Sequence, residues 1–435
     1  MLKNDMFRNV RSLRGMKDIL PRDSHIYRTL ESKIQEILFQ YGFQEIRTPI
    51  LEKTELFERT IGKKTEVVRK EMYTFLNKRG NTRISLRPEN TVSCARAGIE
   101  NGLFRNKKQR LWYLGPMFRY DRPQYGRNRQ FHQLGIEMFG FNSPVFDAEL
   151  ISIMFKIWKS LAIDQYITLE LNSIGSISDR EIYRNSLKKF FQSNLKKLSL
   201  EDQKMAISDP IRLLDSKDPD LNQLLVHAPL LEEYIGKECM DHFYELCRIL
   251  QKIGIRYVIN KRLVRGLDYY NRTVFEWVSG ISNFQKTICA GGRYDYLMDL
   301  LGYNRSVPSL GCAIGIERLV ILIEEVNQDL IHEYHNSKLI DIYLCKQGLI
   351  NSEEIFFFSE RIRSRIKNVS IMIHHGSDKT KKQVSKAIQN NAKIVIILKE
   401  NFYRSNKILI KNLKKKGSLD IIPLEKLYGF LDEIR

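Results

Sequence analysis

The chain has 435 residues, of which 43% are hydrophobic and 28% charged, a composition that excludes a disordered protein and indicates a globular protein of two or three domains. Its formal net charge of +20 favours a polyanionic partner, with a solvated basic surface inherited from lysine-rich codon usage as the alternative. No apolar run approaches the ~20 residues that span a bilayer, and no secretory signal is recognisable. The cysteines are scattered without a Cys-x-x-Cys pair, which favours free thiols, no structural zinc and a cytoplasmic location.

The first part of the chain alternates helical and extended patterns. Apolar residues recur at helical spacing over 24–40, and Gly42 follows this helix. Phe43–Leu51 is typical of a strand, but Pro49 interrupts it, which favours an edge or interface position. The next predicted elements are strands near 72–77 and 83–86, strands at 111–118 and 131–139, a helix at 146–161 and a strand at 167–171.

A change in composition then marks an insertion. Charged, Leu/Lys-rich helical patterns fill 179–254 and predict a helical insertion within a first domain that covers 1–328. Strand patterns return after the insertion, and the domain closes with a strand, a glycine turn and a helix. These later elements are predicted at 256–260, 273–278, 286–289 and 310–323.

The last quarter of the chain has a different organisation. After a polar linker at 329–337, strands and helices alternate regularly, which predicts a separate α/β domain at 338–435. This domain has 20 Lys and Arg against 10 Asp and Glu, a net charge of +10. Half of the excess positive charge therefore lies in less than a quarter of the chain, and the domain is expected to bind a polyanion.

The loop of the predicted hairpin is rich in arginine. It has four guanidinium groups within eleven residues, at Arg119, Arg122, Arg127 and Arg129. Guanidinium groups bind phosphate oxygens through paired hydrogen bonds, so the loop is expected to hold a ligand with several phosphates. The alternative is a solvated hairpin tip.

The second strand of the hairpin predicts a small-molecule pocket beside that loop. Because residues two apart share one face of a strand, Gln133, Gly135 and Glu137 point the same way. This face offers an amide and a carboxylate, with a gap at Gly135 for a small ligand. The opposite face is expected to enter a core through Leu134, Ile136 and Met138.

Two further motifs supply polar groups. Glu89 and Thr91 follow a predicted strand, and both accept hydrogen bonds from an ammonium group; a helix N-cap at Asn90 or Thr91 is the alternative. In Arg265–Tyr270, two adjacent tyrosines and a carboxylate form a hydrogen-bonding wall, and the arginine places a fixed positive charge beside a phosphate.

A third motif, Gly311–Leu319, joins a strand to a helix through two glycines and presents Arg318. Close backbone approach and a projecting guanidinium suit a nucleotide that lies across a sheet. The chain has neither the dinucleotide fingerprint nor the Gly-rich phosphate loop that ends in Lys-Ser or Lys-Thr. A nucleotide site here must therefore use arginines on an antiparallel sheet.

Together these motifs resemble those of the bacterial-type histidyl-tRNA synthetases, a class II family, over nearly the whole chain. The segment from Phe43 to Pro49 resembles motif 1, a dimer-interface element; the hairpin resembles motif 2, and Gly311–Leu319 resembles motif 3. Segments that resemble signatures peculiar to the histidine enzymes are Arg14–Asp18, Arg265–Tyr270 and Ala290–Asp295. The resemblance implies an α+β fold: a class II antiparallel sheet flanked by helices, with a helical insertion and a C-terminal α/β anticodon-binding domain.

The resemblance also implies roles for individual residues. For histidine, it assigns the α-ammonium group to Glu89, Thr91 and Gln133, the imidazole to Glu137 and Tyr270, and the pocket wall to Tyr269. For ATP, it assigns the α-phosphate to Arg119 and Arg265 as catalytic residues, and the γ-phosphate to Arg127 and Arg318, with Arg318 also stacking on the adenine. It assigns the tRNA acceptor end to Arg122 and Gln124.

Two positions depart from the family pattern. Asn90 stands where glycine is expected, and Asp121 stands where glutamate is expected. Asparagine tolerates left-handed backbone conformations better than most residues do, which makes the first departure compatible with a strained turn. The second departure shortens a side chain that is expected near ATP or the tRNA end.

The implied activity is ATP-dependent ligation of L-histidine to histidine tRNA through a histidyl-adenylate, by a homodimer that is not attached to a membrane. ATP is a substrate, and Mg²⁺ is expected with it, although the sequence shows no ligand set for the metal. One alternative is a non-catalytic, synthetase-like regulatory subunit of histidine biosynthesis. Another is a general RNA-binding protein, which explains the charge but not the pocket.

Overall fold

The computed structural model describes residues 10–63, 65–105, 108–215, 218–281, 286–327, 340–400, 402–413 and 419–433. These residues form two compact units that divide between residues 327 and 340. The predicted linker at 329–337 lies outside the described residues.

The first unit combines a large sheet with helices. Its described helices are α1 Pro21–Gln40, α2 Thr54–Phe57, α3 Thr91–Glu100, α4 Pro144–Ser160, α5 Ile177–Ser193, α6 Leu200–Ser208, α7 Pro219–Leu225, α8 Lys237–Lys252, α9 Leu297–Leu300 and α10 Ile316–Val326. Its described strands are β1 Gln44–Glu45, β2 Leu51–Lys53, β3 Thr74–Leu76, β4 Arg83–Leu86, β5 Gln109–Phe118, β6 Gln130–Phe139, β7 Ile167–Ser173, β8 Tyr257–Ile259, β9 Asn271–Ser279, β10 Thr287–Arg293 and β11 Ser309–Gly315.

The large sheet has eight strands in the order β1-β5-β6-β11-β10-β9-β7-β8. The six inner strands pair antiparallel, which confirms the predicted fold class. The two outermost pairs, β1 with β5 and β7 with β8, are parallel and were not predicted. A parallel pair needs a long crossover, and the helical insertion, α5 to α8, is the crossover between β7 and β8.

The hairpin faces are as the alternation of residues predicts. Strands β5 and β6 pair over their full length, so that Tyr113 lies opposite Gly135. Leu134, Ile136 and Met138 are fully buried in the core. Gln133 and Glu137 therefore lie on the opposite face of the sheet.

The segment predicted as one extended strand at Phe43–Leu51 is in fact divided. Gln44–Glu45 pairs with the large sheet, whereas Leu51–Lys53 pairs with β4 in a separate three-stranded sheet of order β2-β4-β3. Pro49 lies between the two short strands, where it donates no ladder hydrogen bond. The small sheet exposes the large apolar side chains of Leu51, Phe75 and Leu76, and Ile50 directly before β2 is exposed as well.

The second unit is a mixed sheet with helices. Its described strands are β12 Ile340–Gln347, β13 Ile371–Ile373, β14 Ala392–Lys399, β15 Lys407–Asn412 and β16 Leu419–Pro423, and its described helices are α11 Ser352–Arg365, α12 Thr380–Gln389, α13 Phe402–Ser405 and α14 Leu427–Glu433. The order is β13-β12-β14-β15-β16, parallel in the first three strands and antiparallel in the rest. The antiparallel strand β16 and helix α14 were not predicted.

A buried ion cluster ties three parts of the first unit together. The side chain of Arg293, at the end of β10, is fully buried and lies 2.6 Å from Oδ2 of Asp147 on α4. His242, on α8 of the insertion, lies 3.2 Å from the same carboxylate oxygen, and Arg293 also contacts Asp295 at 3.3 Å. The Arg293 charge lowers the pKa of Asp147, although burial acts in the opposite direction.

This cluster predicts a large loss of stability on removal of its carboxylate. Asp147→Ala leaves the buried Arg293 without its closest anion, and the free energy of unfolding is expected to fall by about 3–5 kcal/mol in denaturant titrations. Glu149→Ala on the same helix is the control, because the Arg110–Glu149 pair is partly exposed and is expected to contribute ~1 kcal/mol or less. Equal losses in the two variants would contradict a special role for the cluster.

Candidate active site

The arginine-rich loop folds back so that its guanidinium groups are held in place. Arg119 donates through Nε to the carbonyl oxygen of Pro88 at 2.9 Å and lies over the ring of Phe131. Arg127 pairs with Asp121 at 3.0 Å, so the shortened side chain at 121 still has a guanidinium partner. The loop is therefore anchored and is not a freely solvated tip.

The four loop arginines do not act alike. Arg129 stacks on Tyr120 at 3.7 Å and donates through Nε to the backbone oxygen of Asp121, so it holds the loop together. The backbone of Arg129 also donates to Gly15, which ties the loop to the first signature segment. Arg122 and Gln124 are exposed at the loop surface, as a contact with a large partner requires.

Arg318, at the start of α10, reaches toward the same loop. It donates through Nε to Gly126 of the loop tip at 3.0 Å and through Nη1 to Thr287 of β10 at 2.8 Å. Burial, together with the positive charges of Arg127 and Arg119, lowers the pKa of its guanidinium to about 10. Three mutually repelling cations thus face one region, which favours a bound polyanion there.

Arg265 brings a fourth cation to this side of the sheet. Its side chain is only 18% exposed and pairs with Glu276 on β9. Glu276 also accepts a hydrogen bond from the hydroxyl of Thr287 at 2.9 Å, beside the carbonyl group that Arg318 contacts. The guanidinium of Arg265 lies 5.6 Å from the centre of the Tyr270 ring. Arg265 therefore lies between the other three cations and the tyrosines.

The polar pocket centres on Glu137, which is 1% exposed. Thr91 donates from its hydroxyl to Oε1 of Glu137 at 2.7 Å, and the hydroxyl of Tyr294 donates to Oε2. Tyr269, Tyr270 and Tyr294 form an aromatic wall with ring centres 4.7–6.2 Å apart. Burial raises the pKa of Glu137 to about 8 against the lowering effect of its hydrogen bonds.

Glycines make room for this pocket, but they do so differently from the prediction. A Cβ at Gly135 would lie 2.1 Å from the ring of Tyr113, so the predicted gap at this residue is filled by that tyrosine. A Cβ at Gly311 would lie 2.1 Å from Oε2 of Glu137. Gly311 therefore admits the Glu137 carboxyl group, and the approach of a nucleotide to this two-glycine motif stays a prediction.

The start of α3 combines capping with the pocket. Glu89 is 4% exposed, and its carboxylate accepts from the backbone N–H groups of Thr91 and Val92 at 2.8 and 3.1 Å. Glu89 rather than Asn90 or Thr91 thus supplies the side-chain cap. Asn90 has φ −125°, so it is not left-handed; its Oδ1 instead accepts from Thr48 and Arg87.

One further polar atom at the pocket has no partner. Oε1 of Gln133 is buried and accepts no hydrogen bond from any described residue. A buried acceptor without a donor is costly, which favours a ligand that carries donors such as an ammonium group. Within the described ranges, no group of three or more His, Cys, Asp or Glu side chains is suited to hold a metal ion.

The structure brings the residues assigned to histidine and to ATP into two adjoining regions and adds residues that sequence reasoning missed. Arg119, Arg127, Arg265 and Arg318 form the cationic region, and Glu89, Thr91, Gln133, Glu137, Tyr269 and Tyr270 form the pocket. Tyr113, Tyr294 and Glu276 were not assigned, although they contact Gly135, Glu137 and Arg265. Tyr294 lies in the signature segment Ala290–Asp295, and that resemblance could have identified it as a site residue.

Comparison with known proteins identifies relatives of this chain. A family model described as histidyl-tRNA synthetase matches residues 15–319. The apo histidyl-tRNA synthetase of S. aureus is similar at 30% identity and a TM-score of 0.78, over 97% of this chain and 99% of that one. A Nostoc sp. histidyl-tRNA synthetase has 17% identity and a TM-score of 0.68, over 98% and 99% of the two chains.

A third solved structure has a double description. It is an ATP phosphoribosyltransferase regulatory subunit/histidyl-tRNA synthetase from Bacillus halodurans, with 21% identity and a TM-score of 0.61, over 90% of this chain and 99% of that one. At such identities the second and third structures show the shared fold only.

The pKa of Glu137 predicts a pH-dependent stability of the ligand-free protein. The folded state keeps a proton on this carboxyl group up to about pH 8, whereas the unfolded chain releases it near the ordinary glutamate pKa of 4.5. Stability relative to a Glu137→Gln variant is therefore expected to fall as pH rises between these values and to level off above pH 8. Melting temperatures of both proteins from pH 5 to 9 test this, and a constant difference would contradict it.

Proposed function

The chain belongs to the histidyl-tRNA synthetase family, and from this premise we propose that it activates L-histidine with ATP and transfers it to the 3′ end of histidine tRNA. In the first step, the histidine carboxylate attacks the α-phosphorus of ATP and pyrophosphate leaves. In the second step, the terminal ribose hydroxyl of the tRNA attacks the carbonyl carbon of the histidyl-adenylate and AMP leaves. Neither step needs a covalent enzyme intermediate.

The observation that carries this proposal is the grouping of Arg119, Arg127 and Arg318, in which the partly buried Arg318 donates to Gly126 at the tip of the arginine-rich loop. Backbone carbonyl groups hold these cations together, and the cations are partly desolvated. A bound triphosphate would stabilise them. We assign Arg119 and Arg265 to the α-phosphate and Arg127 and Arg318 to the γ-phosphate. Fixed charges of this kind lower the barrier because charge develops on the phosphate oxygens as the bonds change.

The adjoining pocket suits histidine. The unpartnered Oε1 of Gln133, together with Glu89 and Thr91, would accept from the α-ammonium group. The imidazole would lie against Glu137 and Tyr270, with Tyr269 beside it. A protonated ring nitrogen favours the ionised form of Glu137, so the pKa of this carboxyl group is expected to fall when histidine binds.

Mg²⁺ would enter with the ATP and neutralise part of the charge on its phosphates. We name no protein ligand for it, because the described residues offer no cluster suited to a metal.

Further parts of the chain support the proposed partners. Arg122 and Gln124 are exposed on the loop and would contact the tRNA acceptor end, and the basic second unit would bind near the anticodon. The exposed apolar residues of the three-stranded sheet, Leu51 and Phe75 among them, would be covered in a homodimer. The six cysteines are free and buried, which is compatible with the cytoplasm. No helix among the described residues has the length and apolar character needed to cross a bilayer.

The competing proposal is a regulatory subunit without catalytic activity. It is raised by the double description of the Bacillus halodurans relative. A regulatory role does not require several arginines aimed at one anion, whereas adenylate formation does. Histidine-dependent exchange of pyrophosphate into ATP separates the two functions and needs no tRNA.

Arg265→Ala tests the phosphate assignment. Loss of a charge-assisted contact that strengthens in the transition state costs on the order of 3 kcal/mol, so exchange is expected to fall ~100-fold. Arg262→Ala is the matched control, because Arg262 is an exposed cation three residues away. Exchange that is normal in Arg265→Ala would remove this residue from the mechanism, and no exchange by the unaltered protein would favour the regulatory role.

Removal of the second unit tests the RNA assignment. A protein that ends near residue 336 is expected to retain histidine–ATP exchange, while the efficiency of tRNA charging falls at least tenfold. Because phosphate contacts release counterions, tRNA affinity of the full chain is also expected to fall steeply with salt. Circular dichroism and sedimentation control for folding and oligomeric state. Equal charging by both proteins would contradict the assignment.

A further inference from the structure

Asn90 lies between two residues of the pocket, but its own side chain makes its contacts elsewhere. Glu89 and Thr91 on either side of it are assigned to the α-ammonium group of histidine, whereas Asn90 has no assigned role. Asn90 is fully buried, and its Oδ1 accepts from the hydroxyl group of Thr48 at 2.6 Å and from Nη1 of Arg87 at 3.0 Å. We call Thr48, Arg87 and Asn90 the junction.

Arg87 brings a buried cation to the junction. Only 4% of Arg87 is exposed, and burial lowers the pKa of its guanidinium. It donates through Nε to the backbone oxygen of Pro116 at 3.0 Å and through Nη1 to the backbone and hydroxyl oxygens of Thr48 at 3.1 and 3.0 Å. These acceptors, like Oδ1 of Asn90, are uncharged. A buried cation that loses a hydrogen bond is costly, so Arg87 favours the observed orientation of the Asn90 amide.

The junction joins three separate parts of the first unit. Thr48 lies in the connection between β1 of the large sheet and β2 of the three-stranded sheet, Pro116 lies in β5, and Asn90 is the N-cap residue of α3. The backbone N–H of Arg87 also donates to the carbonyl oxygen of Ile50, two residues after Thr48. The start of α3 is therefore fixed relative to the connection between the two sheets.

The start of α3 places both of the pocket residues that flank Asn90. Glu89 accepts from the backbone N–H of Thr91, and the hydroxyl group of Thr91 donates to Glu137. The side chain of Asn90 makes no capping hydrogen bond to its own helix. Its amide instead fixes the first turn of α3 to the junction. Because Glu89 and Thr91 are its neighbours in the chain, the directions of their side chains depend on this attachment.

We propose that Asn90 is a positioning residue for histidine: held by Thr48 and Arg87, it keeps Glu89 and Thr91 where they bind the α-ammonium group. This inference rests on the proposed function and adds to it the residues that set the affinity for the ammonium end of the substrate. Asn90 acts through its neighbours and does not itself contact the amino acid.

Thr48→Val tests the proposal with little change of shape, because a methyl group replaces the hydroxyl group that donates to Asn90. The dissociation constant of L-histidine, measured by calorimetry on the full-length protein, is expected to rise roughly tenfold, since a hydrogen bond that positions its acceptors is lost. The inhibition constant of imidazolepropionate, which is histidine without its ammonium group, is expected to change less than twofold in pyrophosphate exchange. In the same assay, KM for histidine is expected to rise while kcat is kept.

Two control variants accompany this measurement. Thr48→Ser keeps the hydroxyl group and is expected to bind histidine within twofold of the unaltered protein. Thr54→Val is the matched control, because Thr54 is a buried threonine of α2 whose hydroxyl oxygen lies 2.9 Å from that of Ser85, away from the junction. Histidine and imidazolepropionate are both expected to bind Thr54→Val as they bind the unaltered protein.

Asn90→Ala removes the acceptor from the other side of the same hydrogen bond. It is expected to weaken histidine binding at least as much as Thr48→Val does. The double variant is expected to lose no more affinity than the weaker binder of the two single variants, because both changes act through one interaction. If Asn90→Ala does not fold, Thr48→Val decides by itself.

Unchanged affinity for histidine in Thr48→Val and Asn90→Ala would overturn the proposal. An equal loss of affinity for histidine and imidazolepropionate would also overturn it, because the junction would then support the whole pocket and not the ammonium site. Failure of the unaltered protein to bind histidine would instead refute the proposed function, which is a distinguishable result.

Discussion

Repulsion among guanidinium groups is the constraint on which the rest of this site depends. Burial and the nearby charges of Arg127 and Arg119 make Arg318 hold its proton less tightly than a free arginine does. The fold offsets this cost by hydrogen bonds to backbone oxygens of Pro88, Gly126 and Thr287. These carbonyl groups belong to separate segments, so the cations can be gathered only when the sheet is complete.

The pocket beside the arginines depends instead on a buried carboxyl group. Glu137 is stabilised in its protonated form by burial, and hydroxyl groups of Thr91 and Tyr294 hold its two oxygens. Glycines at 135 and 311 create the space that Tyr113 and Glu137 occupy. The pocket is therefore closely packed, and it depends on the two glycines, which have no side chain, as much as on its polar groups.

The tripeptide Arg293–Asp295 connects this pocket with the scaffold. Arg293 is held by Asp147 on α4, Tyr294 contacts Glu137, and Asp295 accepts from Asn271, the residue after Tyr270. His242 joins the same cluster from the last helix of the insertion. Through these contacts, the segment Arg293–Asp295 joins the insertion and α4 to Glu137 and to the residue that follows Tyr270.

The sequence by itself determined the fold class, the hairpin, the insertion and the residues that supply charge, because periodicity and residue type are local properties. It did not determine which groups meet. Only the tertiary structure decided that Tyr113 fills the space at Gly135, that Gly311 admits Glu137, and that Arg129 braces the loop. The physical reason is that these contacts join strands and loops far apart in the chain, and their register is set when the whole sheet packs.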